Sequence, residues 1–363
     1  MEREVKVLIV DDSAFNRKAL REMIDELTGV TVVGTAPDGQ EALKMLPTLA
    51  PDVITLDLEM PRMDGFTFLR LMMSNFPTPT IVISSRFEDP YVFKALELGA
   101  VDFIGKPTHR VSTKLLNIKE ELHKKILMAR ASNLKVVRKE EIRPHKDKEA
   151  RDAASAVRLS KEPAGATPVV VIGASTGGPP ALQELVGGLR HDLNAPVAIA
   201  QHMPPGFTKT FAERLNRFSP LNVMEAEDNT KVSPGTIVIA PGGTHLELAR
   251  EGDDVIAKVR SGLDEKYTPS VDLLFTSAAL NFGDNVVAAI MTGMGSDGKI
   301  GIEKIKDAGG LTIAQSEDTS VIPGMPREAI LTGKVDAIAP LKSLSSQITA
   351  FCDRIASTKA RAS

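Results

Sequence analysis

The sequence predicts an α/β protein of two domains, each built on a parallel, doubly wound sheet, with a charged linker between them. Three observations carry this prediction. Short runs rich in β-branched residues alternate with segments of helical periodicity, first up to residue 125 and again from residue 167. Between the two stretches, 15 of the 31 residues from 133 to 163 are charged, and none is Phe, Tyr, Trp or Gly. A chain of 363 residues is also too long for one ordinary domain of roughly 150. The boundaries follow as 1–125, a linker over 126–166, and 167–357.

In the first domain, residues 5–10, 30–33, 53–58, 80–83 and 101–104 read as buried strands. Ala19, Leu20, Met23, Ile24 and Leu27 recur at helical spacing and give the first connecting helix one apolar face. Similar helices fill 66–76 and 91–98. Five β–α units with short, right-handed connections imply a flavodoxin-like (βα)5 sheet of order 2-1-3-4-5.

A charged helix beginning near Ser112 runs on into the linker. The linker buries too little apolar surface to offset its ordering entropy. From residue 164 the α/β alternation resumes, with strands at 168–172, 197–201, 236–240, 286–291 and 311–314. Helices are predicted at 180–189, 208–218, 271–280 and 300–308.

Bulk chemistry excludes several function classes. The chain carries a net charge of −3, and its second half has 18 Lys and Arg against 22 Asp and Glu, so no basic surface invites nucleic acid. The charged start MEREVKVLIVDD lacks the apolar core and cleavage site of a signal peptide. No run approaches the roughly 18 apolar residues of a membrane helix. A single cysteine, Cys352, precludes an internal disulfide framework or a multi-cysteine metal site. These features predict a cytoplasmic protein without membrane insertion, monomeric by default.

Asp11 and Asp12 end the first strand and Asp57 the third, and these strands are neighbours at the topological switch point of the predicted order. Three converging carboxylates repel one another unless a hard divalent cation lies among them, and oxygen ligands suit Mg²⁺. Ser84 and Lys106 end the fourth and fifth strands and bring a hydroxyl and an ammonium to the same crevice. Such a set can hold an acyl phosphate. Any one of these aspartates alone reads equally well as a helix cap.

The DDS at Asp11, the LDLEMPRMDG around Asp57, the VISS ending at Ser85 and the GKP containing Lys106 resemble a two-component receiver domain over the first third of the chain. The resemblance implies phosphorylation of Asp57 by a histidine kinase. It assigns Mg²⁺ to Asp12, Asp57 and the backbone carbonyl of Glu59, with Asp11 acting through water. Ser84 would contact the phosphoryl oxygen, Lys106 would pair with it, and Phe103 would occupy the aromatic switch position.

In the second domain a strand leads into Gly173-Ala174-Ser175-Thr176-Gly177, and a helix follows. Gly-x-Ser-x-Gly between a strand and a helix fits a nucleophile elbow. It also fits a phosphate-binding glycine loop, although Ser175 breaks the usual Gly-x-Gly-x-x-Gly fingerprint. A serine nucleophile needs a base. His202 directly follows a strand and shares the carboxyl edge with Ser175; His245 follows another strand and is the rival, while His191 reads as a solvated helix exit. Asp297, in Thr-Gly-Met-Gly-Ser-Asp-Gly, could fix the tautomer of the base, or could cap the helix that follows.

The order Ser, His, Asp differs from that of α/β-hydrolases. The segments GASTGGP, QHMPPGF, APGGTHL and MTGMGSDG, in that order from about residue 168 to 338, instead resemble the catalytic domain of the chemotaxis response-regulator protein-glutamate methylesterase. The resemblance implies Ser175 as nucleophile, His202 as base and Asp297 as its partner. Thr176 and the backbone N–H of Met294 would position the base and the oxyanion, and His245 would line the cleft.

The implied reaction is hydrolysis of glutamate methyl esters on the cytoplasmic helices of chemoreceptors, with deamidation of selected glutamines by the same chemistry and no cofactor for that step. The resemblance further implies that the unphosphorylated receiver partly covers the cleft until phosphorylation relieves the block. Two other classes would read differently. A DNA-binding regulator needs a basic helix-turn-helix output, and a nucleotide-binding module would use the glycines at 173–178.

Overall fold

The computed structural model describes residues 3–84, 90–105, 112–134, 167–263 and 265–362. The chain divides into two compact units, Met1–Glu141 and Ile142–Ser363. Lys106 and most of the segment read as a linker lie outside the described residues.

The first unit holds strands β1 (Val5–Val10), β2 (Val30–Ala36), β3 (Val53–Leu56), β4 (Thr80–Ser84) and β5 (Asp102–Gly105). They form one parallel sheet in the order β2-β1-β3-β4-β5, as the alternation predicts. The connecting helices are α1 (Ala14–Asp25), α2 (Gly39–Leu49), α3 (Gly65–Asn75), α4 (Pro90–Glu97) and α5 (Ser112–Arg130). Helix α5 thus extends five residues past residue 125. Three of these helices start on an oxygen cap: Ser13 for α1, Asp38 for α2 and Asp64 for α3 each accept an amide of the first turn. Val7, Leu8, Ile9, Ile54 and Leu56 are fully buried, as strands covered on both faces require, and so is Phe68 of α3.

The second unit contains a seven-stranded parallel sheet of order β15-β14-β13-β6-β7-β10-β8. Its centre is β6 (Val169–Ala174), flanked by β7 (Val197–Gln201) and β13 (Val286–Ile290). Every residue of these three strands is buried, which explains their apolar runs, broken only by Gln201 at the end of β7. Beyond them lie β10 (Thr236–Ile239) and β8 (Asn222–Glu225) on one side, and β14 (Leu311–Gln315) and β15 (Ala337–Ala339) on the other. The helices are α6 (Gly178–Gly187), α7 (Phe207–Phe218), α8 (Val271–Phe282), α9 (Lys299–Asp307), α10 (Gly324–Leu331) and α11 (Leu341–Ala362). Helix α11 carries the unit past residue 357 to Ala362.

The unit is more than a parallel sheet with helices. An antiparallel sheet of β11 (His245–Glu251), β12 (Asp254–Arg260) and β9 (Thr230–Lys231) stands beside it. Leu246, Leu248 and Ala257 of this sheet share a core with Leu274, Phe275 and Ala278 of α8. Burying a side chain such as Phe275 contributes about 1.5–3 kcal/mol, so this layer anchors α8 firmly over the main sheet. Position matters here, because α8 begins at the functional site.

Candidate active site

The three residues singled out in the second unit emerge from three adjacent strands. Ser175 follows β6 and His202 follows β7 directly; Asp297 lies in the loop between β13 and α9. The strand order reverses between β6 and β13, so the group sits at the carboxyl-end switch point of an open α/β sheet.

The geometry is that of a hydrogen-bonded triad. Ser175 Oγ lies 3.1 Å from His202 Nδ1, and His202 Nε2 lies 2.7 Å from Asp297 Oδ2. The N-terminus of α8 holds the carboxylate. Val271 N–H donates to Oδ2 at 2.8 Å, Asp272 N–H to Oδ1 at 2.9 Å, and the capping Ser270 hydroxyl to Oδ1 at 3.3 Å. Burial alone would raise the pKa of Asp297. The hydrogen bond and charge of His202 and the two amides outweigh burial and hold the carboxyl below its ordinary value. An ionised Asp297 can only accept, so Nε2 carries the imidazole proton and Nδ1 keeps a lone pair for the serine hydroxyl.

Around the triad, Ser175 N–H donates to the Thr292 carbonyl at 3.0 Å, fixing the elbow against the loop that follows β13. Thr292 Oγ1 donates to the carbonyl of Thr176 at 3.0 Å. Gly293, next to Met294, lies so close to Ser175 that an added Cβ would stand 2.8 Å from the serine Cβ. Thr176 and Gly293 therefore flank the nucleophile from its own turn and from the 292–298 loop, with Met294 next in the chain after Gly293.

His245 differs from its expected place in the cleft. It is only 2% exposed, begins β11, and its Nδ1 accepts the Ser270 N–H at 3.1 Å. It thus stands behind Ser270, the residue that caps α8 and donates to Asp297. The antiparallel sheet, which the strand pattern did not reveal, places it there.

Two contributors escaped sequence reasoning. Tyr267 stacks face to face on His202, with ring centroids 5.0 Å apart and planes 4° from parallel. No spacing marks it. Ser270 did carry a signal, a serine directly before an apolar helical run. Asp272 is pushed up to about 6 by burial and by the neighbouring Asp297 carboxylate, against the amides of Gly301 and Gly298.

In the first unit, Asp57 N–H donates to the Val10 carbonyl at 2.8 Å, which brings the ends of β1 and β3 together. Carboxylate oxygens of Asp11, Asp12 and Asp57 lie within 4.8 Å of one another, with Asp11 and Asp57 buried and Asp12 exposed. Asp11 already accepts from Ser13 N–H at 2.9 Å and from Asn16 Nδ2 at 3.2 Å. Arg17 Nη1 donates to the carbonyls of Asp11 and Asp12, at 2.7 and 2.9 Å. Glu59 N–H reaches Asp57 Oδ1 at 3.3 Å. An all-oxygen donor set with this much negative charge fits a hard divalent cation. Ser84 ends β4 and is buried; Phe103 in β5 is buried beneath the ammonium of Lys125, 5.4 Å from its ring centroid.

The family profile described as CheB methylesterase matches residues 170–348, and that of the response regulator receiver domain matches residues 7–116. The chain is similar to protein-glutamate methylesterase/protein-glutamine glutaminase 3 of Geobacter sulfurreducens, at 47% identity over 96% of this chain and 98% of the relative. The protein-glutamate methylesterase/protein-glutamine glutaminase of Pyrococcus horikoshii is 41% identical over 96% of this chain and 94% of its own. Among solved structures, the Thermotoga maritima CheB methylesterase catalytic domain is 40% identical, covering 50% of this chain and 97% of that one, with a TM-score of 0.49.

Proposed function

The chain belongs to the CheB methylesterase family, with a response-regulator receiver domain ahead of the esterase domain, and from that premise we propose that Ser175, His202 and Asp297 carry its hydrolytic chemistry. The protein is a phosphorylation-controlled protein-glutamate methylesterase and protein-glutamine glutaminase acting in chemotactic adaptation. The observation that supports the residue assignment is the unbroken chain of hydrogen bonds from Ser175 Oγ through His202 to Asp297.

His202 Nδ1 takes the proton of Ser175 as Oγ attacks the γ-carbonyl of the esterified glutamate. The tetrahedral oxyanion forms beside Thr176 and the Met294 N–H. Collapse expels methoxide, which leaves as methanol with the proton from His202, and an acyl-enzyme remains. A water deprotonated by His202 then cleaves that ester and returns Ser175. With a glutamine side chain the same attack expels ammonia. Asp297 stays ionised throughout and stabilises the imidazolium, as its α8 amides and low pKa support.

In the receiver, Asp57 accepts the phosphoryl group from a histidine kinase. Asp12, Asp57 and the Glu59 carbonyl would hold Mg²⁺, which would shield the phosphoryl charge; Asp11, already engaged by Ser13 and Asn16, acts at one remove. Ser84 and Lys106 would contact the phosphoryl oxygens, and Phe103 would sense their engagement. The substrates are methylated cytoplasmic helices of chemoreceptors, reached from the cytoplasm. Among the described residues no helix is long and apolar enough to cross a membrane.

Methanol release from radiomethylated receptor membranes tests the reading, with wild type and Ser175→Ala each assayed with and without a small phosphodonor. Release that rises with phosphodonor and vanishes in Ser175→Ala is the expected outcome. Release that persists in Ser175→Ala would remove the serine from the mechanism.

A further inference from the structure

Gln201 is the last residue of β7 and only 2% exposed, yet it belongs to neither the triad nor the apolar core. Its Nε2 donates one hydrogen to the carbonyl of Ser175 and the other to the carbonyl of His202, both at 3.0 Å. The β6–β7 ladder ends just there. Ala174 pairs with Gln201, and the last rung is the His202 N–H on the Ala174 carbonyl at 3.1 Å. Beyond that rung the two strands have no further ladder bond with which to fix the residues that follow them. One side-chain amide spans the gap and ties the backbone of the serine to that of the histidine.

The other end of the amide is equally constrained. Its Oε1 is buried without a hydrogen-bond partner and points at the first residue of α6, where a Cβ on Gly178 would stand 2.0 Å away. Two carbonyl acceptors on the nitrogen side forbid the flipped amide, since an oxygen placed there would face two oxygens. The glycine at 178 thus leaves room for the amide in the one orientation that bridges Ser175 and His202. Its own N–H donates to the Ser175 carbonyl at 2.7 Å, completing the turn.

We propose that Gln201, given room by Gly178, is a positioning residue that sets the 3.1 Å separation of Ser175 Oγ and His202 Nδ1 by joining their main-chain carbonyls. The inference rests on the serine–histidine reading above and deepens it. Geometry of this kind governs the chemical step: a misplacement of 1 Å can cost on the order of 100-fold in rate without altering how substrate binds.

The test uses the full chain with phosphodonor and follows methanol release from methylated receptor membranes. Gln201→Met keeps the length of the side chain and removes both donors. It lowers kcat by about 10- to 100-fold while KM stays within about twofold. Gln201→Glu can donate to one carbonyl when protonated and to neither when ionised, so its activity relative to wild type falls as pH rises through the titration of that carboxyl. Gly178→Ala lowers kcat in the wild-type background by pushing the amide aside; in a Gln201→Ala background, where only the Ala174 Cβ remains close at 3.0 Å, the same change costs much less. Thermal melts verify that each variant is folded, and if Gln201→Met does not fold, the pH profile and the Gly178 cycle decide. Wild-type kcat in folded Gln201→Met, a pH-independent Gln201→Glu, or an equal cost of Gly178→Ala in both backgrounds would overturn the inference. Ser175→Ala runs alongside: its silence with a fully active Gln201→Met defeats this inference alone, whereas its retained activity defeats the serine reading beneath it.

Discussion

A carboxylate as buried as Asp297, at 3% exposure, costs several kcal/mol in lost hydration unless donors replace the water. Ser270, Val271, Asp272 and His202 supply them. Asp297→Asn would turn an N–H₂ towards Nε2 and force the proton onto Nδ1, where it blocks acceptance from Ser175. The expected fall in kcat is about 10⁴-fold, the scale of a wrong tautomer in serine proteases, with folding intact by circular dichroism. Asp272 has the opposite sign. Its carboxyl is pushed up to about 6 by burial and by Asp297, so its contribution to stability is complete below its unfolded value of 3.8 and is lost as pH rises through 6. Asp272→Asn removes that loss. The variant should melt at a higher temperature than wild type at pH 8, with the difference closing as pH falls from 6 towards 4. A melting difference that does not change with pH would show that the carboxyl pair is not responsible.

Elements place these residues, and they differ in how openly the sequence declares them. Strands β1, β3, β6, β7 and β13 are mostly apolar runs; Asp11, Asp57, Ser175 and His202 directly follow the first four and Asp297 lies in the loop after β13, so it is their convergence at strand ends, rather than any one of them, that the sequence makes legible. The β11–β12 hairpin lacks the long apolar runs of the main sheet; HLELARE and DVIAKVR carry only the short alternation of half-buried strands, and nothing in them signals that His245 is buried behind Ser270. Tyr267 was hidden for another reason: its partner, His202, is remote in sequence, and an aromatic stack leaves no local pattern. In the first unit, the first residue of α3 is glycine, Gly65, because a Cβ there would lie 2.5 Å from the Asp57 carbonyl and 2.7 Å from Leu58 Cα. Backbone atoms of a buried strand end cannot move aside cheaply, so Gly65→Ala should destabilise the receiver by about 1–3 kcal/mol. It should also slow phosphoryl uptake, because the displaced residue is Asp57. Denaturant unfolding together with phosphodonor-dependent labelling checks both effects, and normal labelling in a destabilised variant would separate the helix start from the phosphorylation site.

At the scale of the whole chain, function depends on two chemistries that share no residue. Each unit puts its reactive groups at the carboxyl ends of neighbouring parallel strands, so the sheet order alone accounts for both convergences. That is why both sets of candidate residues are legible in the sequence, whereas the charged stretch joining them, which offers neither periodicity nor motif, yields only its composition. The phosphorylation control that the receiver domain implies can be described as a population shift, in which the charge and hydrogen-bond acceptors of a phosphoryl group favour one conformation over another. Asp57→Asn isolates this dependence. The amide retains the shape and the hydrogen-bonding oxygen but cannot form an acyl phosphate, and the loss of one of three clustered charges weakens the attraction of the cluster for a divalent cation. The variant should release methanol at the unstimulated rate and show no increase with acetyl phosphate, while wild type accelerates. Full stimulation of Asp57→Asn would place the acceptor elsewhere, and a variant faster than wild type without phosphodonor would mean that charge removal, rather than phosphorylation, shifts the population.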